Sequence, residues 1–298
     1  MAPLTFEKPL CGLSLDMFNK DFVHEHVWEL EHGDATKKVN FVNNMKLTKD
    51  GRLFGFTNLK GECSWVRGEV KLQSAGTSHV DVATTAPLYK PLTLHSKFAF
   101  DTAKKNNVLT LAAEHALPFN TTQFKFFPYE DKFSAFSMLH LKGNTWTLTA
   151  GGEVTGLKKD PYGSHVVGAA YKNACCSRTY QLAARVFGDK EVPVKTVVGN
   201  VYASAARGFG QNAFAATVEH KLEDASNKLK FAGLWYMAGG TANAHCYLKG
   251  KCDSDGQVAV TVFQRFNERL AAAVGIDFNA KTQPALTNVN YGFKFLLS

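Results

Sequence analysis

The chain has 298 residues, 45% hydrophobic and 20% charged, a balance that supports a folded core and excludes wholesale disorder. Its 34 Lys and Arg against 26 Asp and Glu give a net charge of +8. That excess favours anionic partners, but it is scattered, with no run longer than Lys37-Lys38, Lys104-Lys105 and Lys158-Lys159, and so argues against nucleic-acid binding. No run of about 18 uncharged apolar residues occurs, which excludes a membrane-spanning helix and leaves a barrel as the way this chain could cross a bilayer.

The first ten residues lack both the apolar core of a secretory signal and the arginine-rich character of a matrix transit peptide, so no cleaved address is expected. Residues 1–23 stand outside the pattern that follows. There Leu10, Leu13, Met17 and Phe18 fall on one face of a short amphipathic helix. Two roles are open to it: a plug or gate against a lumen wall, or a disordered or partner-bound tail.

Residues 24–298 form the second expected unit. Segments of about ten residues alternate apolar and polar side chains with period two. In Leu92–Asp101 one face carries Leu92, Leu94, Phe98 and Phe100, and the other Thr93, His95, Lys97 and Asp101. The split recurs in Tyr180–Val186, Leu229–Trp235, Leu270–Phe278 and Val289–Leu297. Breaks fall at clusters such as Lys49-Asp50-Gly51, Asp160-Pro161-Tyr162-Gly163, Gly188-Asp189-Lys190, Asp224–Asn227, Lys249-Gly250-Lys251 and Asp253–Gly256. Counting between them gives about eighteen to twenty short strands.

A soluble double sandwich fits such even strands and short connections poorly, and no blade-length repeat supports a propeller. The polar faces carry Arg67, Glu69, Lys71, His95, Lys97, Asp101, Arg185, Glu219, Lys221, Asp277 and Lys294, too many charges for a packed core but acceptable in a water-filled channel. Trp28, Phe133, Tyr180, Trp235 and Phe278 lie at segment ends, where a membrane barrel places interfacial aromatics. The expected fold is an all-β transmembrane barrel.

Motifs for chemistry are lacking. The six cysteines show no C-x-x-C spacing. His24, His26 and His32 have no Cys or carboxylate partner at a recognised metal spacing, and neither a nucleophile elbow nor a phosphate-cradling G-x-x-x-x-G-K-[ST] occurs. No enzyme activity, metal or cofactor is expected.

The segment Leu15-Asp16-Met17-Phe18-Asn19-Lys20-Asp21-Phe22, the run Leu92–Phe100 leading into Asp101–Asn106, and the closing Ala272–Phe278 with its last strand resemble the voltage-dependent anion channels of the mitochondrial outer membrane, a eukaryotic porin family. The resemblance spans essentially the whole chain. It implies nineteen strands, first and last paired parallel, a helix inside the pore followed directly by the first strand, and passage of ATP, ADP and other metabolite anions. Membrane lipid, and copies of itself or a larger membrane complex, are the partners it implies. The chain departs from the family's pattern at several points: the helix carries Gly12, Leu13 and Leu15 where basic residues are usual, Asp21–His24 replaces a glycine hinge, Lys90-Pro91-Leu92 stands at the Gly-Leu-Lys element, and Gln73 lies near the usual lipid-facing acid.

A pore needs no chemistry: a positive wall concentrates anions, and salt screens that preference. The residues expected to set selectivity are Lys20, Arg67, Lys71, Lys97, Arg185, Lys221 and Lys294. Other readings of a barrel of this kind are a protein-import pore of the same membrane and a structural subunit of a larger assembly.

Overall fold

The structure is a computed structural model that describes residues 7–23, 27–34, 39–74, 77–86, 89–101, 106–141, 145–159, 161–175, 177–208, 210–237, 241, 244–282 and 289–297. One helix, α1 (Glu7–Asn19), precedes nineteen strands. The first nine are β1 (Trp28–Asp34), β2 (Val39–Leu47), β3 (Leu53–Cys63), β4 (Val66–Gln73), β5 (Thr77–Thr85), β6 (Leu92–Asp101), β7 (Asn106–Ala116), β8 (Asn120–Phe127) and β9 (Lys132–Leu141). The next five are β10 (Trp146–Thr155), β11 (Tyr162–Cys175), β12 (Arg178–Asp189), β13 (Thr196–Arg207) and β14 (Gly210–Lys221). The last five are β15 (Ser226–Tyr236), β16 (His245–Asp253), β17 (Gln257–Arg265), β18 (Leu270–Asn279) and β19 (Asn290–Leu297).

Each strand pairs antiparallel with the next, and β1 closes the ring by pairing parallel with β19 from Trp28↔Phe293 to His32↔Leu297. The parallel seam follows from the odd count, because strands that alternate in direction return to the start pointing the same way. Closure pairs every strand edge, which a sheet in hydrocarbon requires. Tight turns make the meander possible: Gly51 and Gly256, at φ +78° and +87°, occupy the left-handed region between β2 and β3 and between β16 and β17.

Register lines the side chains up in two sets. One carries Leu30, Met45, Leu59, Leu111, Leu148, Leu182, Phe214, Phe231, Val262, Val274 and Phe293, and the large residues in it are mostly exposed. The other carries Glu69, Asp81, Lys97, Arg185, Glu219, Lys249, Asp277 and Lys294. Helix α1 packs on this second set, so the charged face is the inner one and the apolar face the outer one.

Two sequence expectations change. Lys249-Gly250-Lys251 is no turn but the middle of β16, because the alternation of Tyr247, Lys249 and Lys251 with Leu248, Gly250 and Cys252 continues through it. Nor does the first strand follow the helix directly: residues 20–23 leave α1 as an irregular segment and β1 begins at Trp28. Asp21, at φ +64°, supplies the left-handed residue that ends the helix.

Candidate pore

Nineteen strands about 4.7 Å apart and tilted by about 40° close on a backbone ring roughly 37 Å across. Side chains and one helix of about 10 Å diameter leave an aperture of roughly 15 Å. Helix α1 crosses the inner wall at mid-height, touching β11 to β15. Its Leu10 and Cys11 pack on Val166, Ala170 and Ala183, and its Met17 and Phe18 on Tyr202, Ala213, Ala215 and Ala232. Alanine on the inner face lets the helix approach closely, and the face predicted from Leu10, Leu13, Met17 and Phe18 is the one that docks. The helix kinks at Cys11 (φ −136°), where the Ser14 hydroxyl donates to the Cys11 carbonyl at 2.9 Å.

The end of the helix is held from the wall. Its last turn has no basic residue, and although the Asp16 carbonyl already accepts from the Lys20 backbone N–H at 3.0 Å, the carbonyls at this end have room for outside donors. Lys249 Nζ donates to the Lys20 and Asp16 carbonyls at 2.8 and 3.1 Å, and Lys251 Nζ to the Phe18 carbonyl at 3.0 Å. Both ammonium groups also lie over the Phe22 ring, 5.2 and 4.3 Å from its centre. Val23 continues along the wall into a cluster with Tyr247, Phe263, Ala271 and Ala273. A Cβ on Gly275 would come within 3.0 Å of Val23 Cγ2, so glycine keeps this path open.

The seven predicted residues divide into four environments. Arg67, Lys71, Lys97 and Lys221 line the inner face, with Lys97 opposite Asp81 and Lys71 Nζ 4.4 Å from the centre of the Phe56 ring. Arg185 is 4% exposed beneath the helix, donating to Asn200 Oδ1 at 3.0 Å and stacking over Phe187. Lys294 sits at the parallel seam, 3.0 Å from Glu29 and 2.9 Å from Glu31. Lys20 is on the N-terminal segment rather than the barrel and pairs with Asp16 at 2.5 Å with its side chain 60% exposed.

Sequence reasoning missed Lys249, Lys251, Glu29 and Glu31. The signal for the two lysines was present, since their spacing of two places both on one strand face beside Tyr247. Glu29 binds Lys46 at 3.3 Å and accepts from Asn44 Nδ2 at 2.6 Å as well as binding Lys294, so one carboxylate joins β19, β1 and β2. Only the parallel register Glu29↔Lys294 brings this group together.

No group of three or more metal-ligating side chains exists among the described residues. His24 and His26 lie outside those residues, and His32 is on the outer face of β1, opposite Asn43. Gln73 pairs with Phe56 on the inner face. Of the predicted interfacial aromatics, Trp28, Phe133 and Phe278 face outward at the rim where β1 begins, and Tyr180 and Trp235 face outward at the opposite rim. No helix of the described residues is long and apolar enough to cross a membrane. The chain matches no model of a protein family and no curated protein.

Proposed function

We propose that this chain is a membrane channel of the mitochondrial porin kind, passing metabolite anions such as ATP and ADP by diffusion through the outer mitochondrial membrane. The observation that carries the reading is a closed ring of nineteen strands, apolar outside and charged inside, whose lumen is only partly filled by its helix. The odd number adds to it: single-chain bacterial barrels have even counts, and nineteen is the count of mitochondrial porins. Arg67, Lys71, Lys97 and Lys221 are among the cations on the inner wall that meet a passing anion. Carboxylates such as Glu69 and Asp81 stand among them, so the preference for anions is modest and falls as salt screens it.

Single-channel recording of the refolded full chain in a planar bilayer tests this, with a salt gradient across the membrane. Large conductance with a reversal potential on the anion side is the expected result. Insertion without conductance would overturn the channel reading in favour of a structural subunit. Cation preference with block by basic peptides would do so in favour of an import pore.

A further inference from the structure

The two rims of the barrel are chemically unlike. At the near rim, where odd-numbered strands begin, the described connections carry Lys49, Asp50 and Arg52, Glu130 and Asp131, Lys158 and Lys159, Lys190, Glu191 and Lys195, Glu223 and Asp224, Asp255 and Lys281. Three of the carboxylates are stabilised in their charged form: the Thr48 hydroxyl holds Asp50, the Ser226 hydroxyl Asp224, and the Lys228 ammonium Asp255, each below the usual carboxylate range by hydrogen bonding. Tyr129, Leu157, Val192, Val194 and Leu222 are exposed among them, aliphatic apart from Tyr129.

At the far rim five of the described turn tips are large and apolar. Trp65 stands between β3 and β4, Tyr89 between β5 and β6, Phe119 between β7 and β8, Met237 after β15, and Phe266 between β17 and β18. All are well exposed, Phe119 at 60% and Trp65 at 50%. Lys90, Glu268 and Arg269 are the charged residues among the described far-rim connections. Three of the four tryptophans, Trp65, Trp146 and Trp235, sit at this end, and only Trp28 at the other.

We infer that the far rim is itself a lipid-contact surface, its aromatic turn tips seated in the headgroup and glycerol layer of one leaflet while the charged near rim stands in water. This rests on the membrane reading above and adds the position of the barrel along the bilayer normal. Continuity with the outer wall argues for lipid as the occupant. The β3–β4 turn is two residues long and the β7–β8 connection three, so Trp65 and Phe119 lie within one or two residues of the strand ends. Tryptophan and tyrosine prefer that depth because one end of the ring is apolar and the other donates a hydrogen bond. Tyr89 shows the arrangement locally, its ring stacked on His115 and its hydroxyl 2.7 Å from His115 Nε2. The same asymmetry sets a direction of insertion, with the far rim the end that crosses the hydrocarbon, because charged side chains such as those of the near rim are costly at the bilayer centre.

The test uses the full chain, refolded into phosphatidylcholine vesicles with its four native tryptophans replaced by phenylalanine and one reporter at a time: Phe119→Trp at the far rim, Tyr129→Trp at the near rim and Phe231→Trp in mid-wall. Lipids brominated at shallow or deep positions and aqueous acrylamide serve as quenchers. The Phe231→Trp reporter is quenched by deep bromines. The Phe119→Trp reporter emits to the blue of the Tyr129→Trp reporter, responds to shallow bromines and is quenched by acrylamide at least about threefold less. Equal acrylamide quenching at 119 and 129, with 231 still lipid-quenched, overturns the inference alone. Shielding of 119 only in native membranes assigns the tips to a protein partner and also overturns it. A Phe231→Trp reporter that escapes bromolipid quenching removes the membrane reading and this inference together.

Discussion

One arc of the barrel is built to hold a helix and the other to face water. Strands β11 to β15 run 11 to 14 residues, and their inner faces offer Ala170, Ala183, Ala213, Ala215 and Ala232 to α1. On the opposite arc β1, β4, β5 and β8 have only 7 to 9 residues, and the inner faces of β1 to β6 present Glu29, Lys46, Glu69, Lys71, Asp81 and Lys97. The contrast shows that period two sets only the minimum of a barrel strand. Where the inner face meets protein instead of water, alternation fades and the strand becomes apolar on both sides, as in Ala213-Phe214-Ala215-Ala216.

The largest effect expected from breaking this contrast is release of the segment by Lys249→Met with Lys251→Met. The pair removes three charge-assisted hydrogen bonds, each contributing about 1.5–3 kcal/mol. Trypsin cleavage after Lys20 in the folded protein should rise at least about tenfold, the factor that 1.4 kcal/mol sets, and single-channel current should become noisier; an unchanged cleavage rate would show that the lysines hold nothing. Overpacking the alanine floor comes next. Ala215→Phe should cost the docked segment about 1–3 kcal/mol and expose Lys20 to trypsin in the same way, whereas Ala99→Phe on the water-facing arc should leave cleavage alone.

The seam sharpens the comparison from the other side. Lys294→Met removes the cation shared by Glu29 and Glu31 and leaves Glu29 with Lys46 and Asn44, and with the lysine side chain 21% exposed the expected loss is about 1–3 kcal/mol in denaturant unfolding from micelles. Adding Glu29→Gln should restore part of that loss, and two strictly additive losses would mean the pair is uncoupled. The smallest effect is on selectivity. Lys71→Glu with Lys97→Glu should shift the anion-to-cation permeability ratio by about twofold toward cations, read from the reversal potential, while Lys20→Ala, which breaks only an exposed ion pair, should leave conductance and selectivity unchanged.

The sequence by itself determined the barrel, its approximate strand count, the facing of strands such as β6, β12, β15, β18 and β19, and the docking face of the helix. Each of these is local: alternation needs only neighbours two apart, and a helical face only neighbours three and four apart. Lys97 and Glu69 could therefore be placed on the inner face before their register was known. What only the tertiary structure decided are contacts between residues far apart in the chain. Lys249 and Lys251 looked like turn residues because a Lys-Gly-Lys run is polar and glycine-containing, and their role depends on carbonyls more than 200 residues away. Glu29 and Lys294 meet because the ring closes with an odd number of strands, and Lys294 is thereby drawn from the open wall into an ion cluster. Arg185 is covered for a similar reason, since a helix from the start of the chain lies over it. Period and spacing are written along the chain, whereas charge neutralisation and occlusion of the pore are set by which distant segments the closed ring brings together.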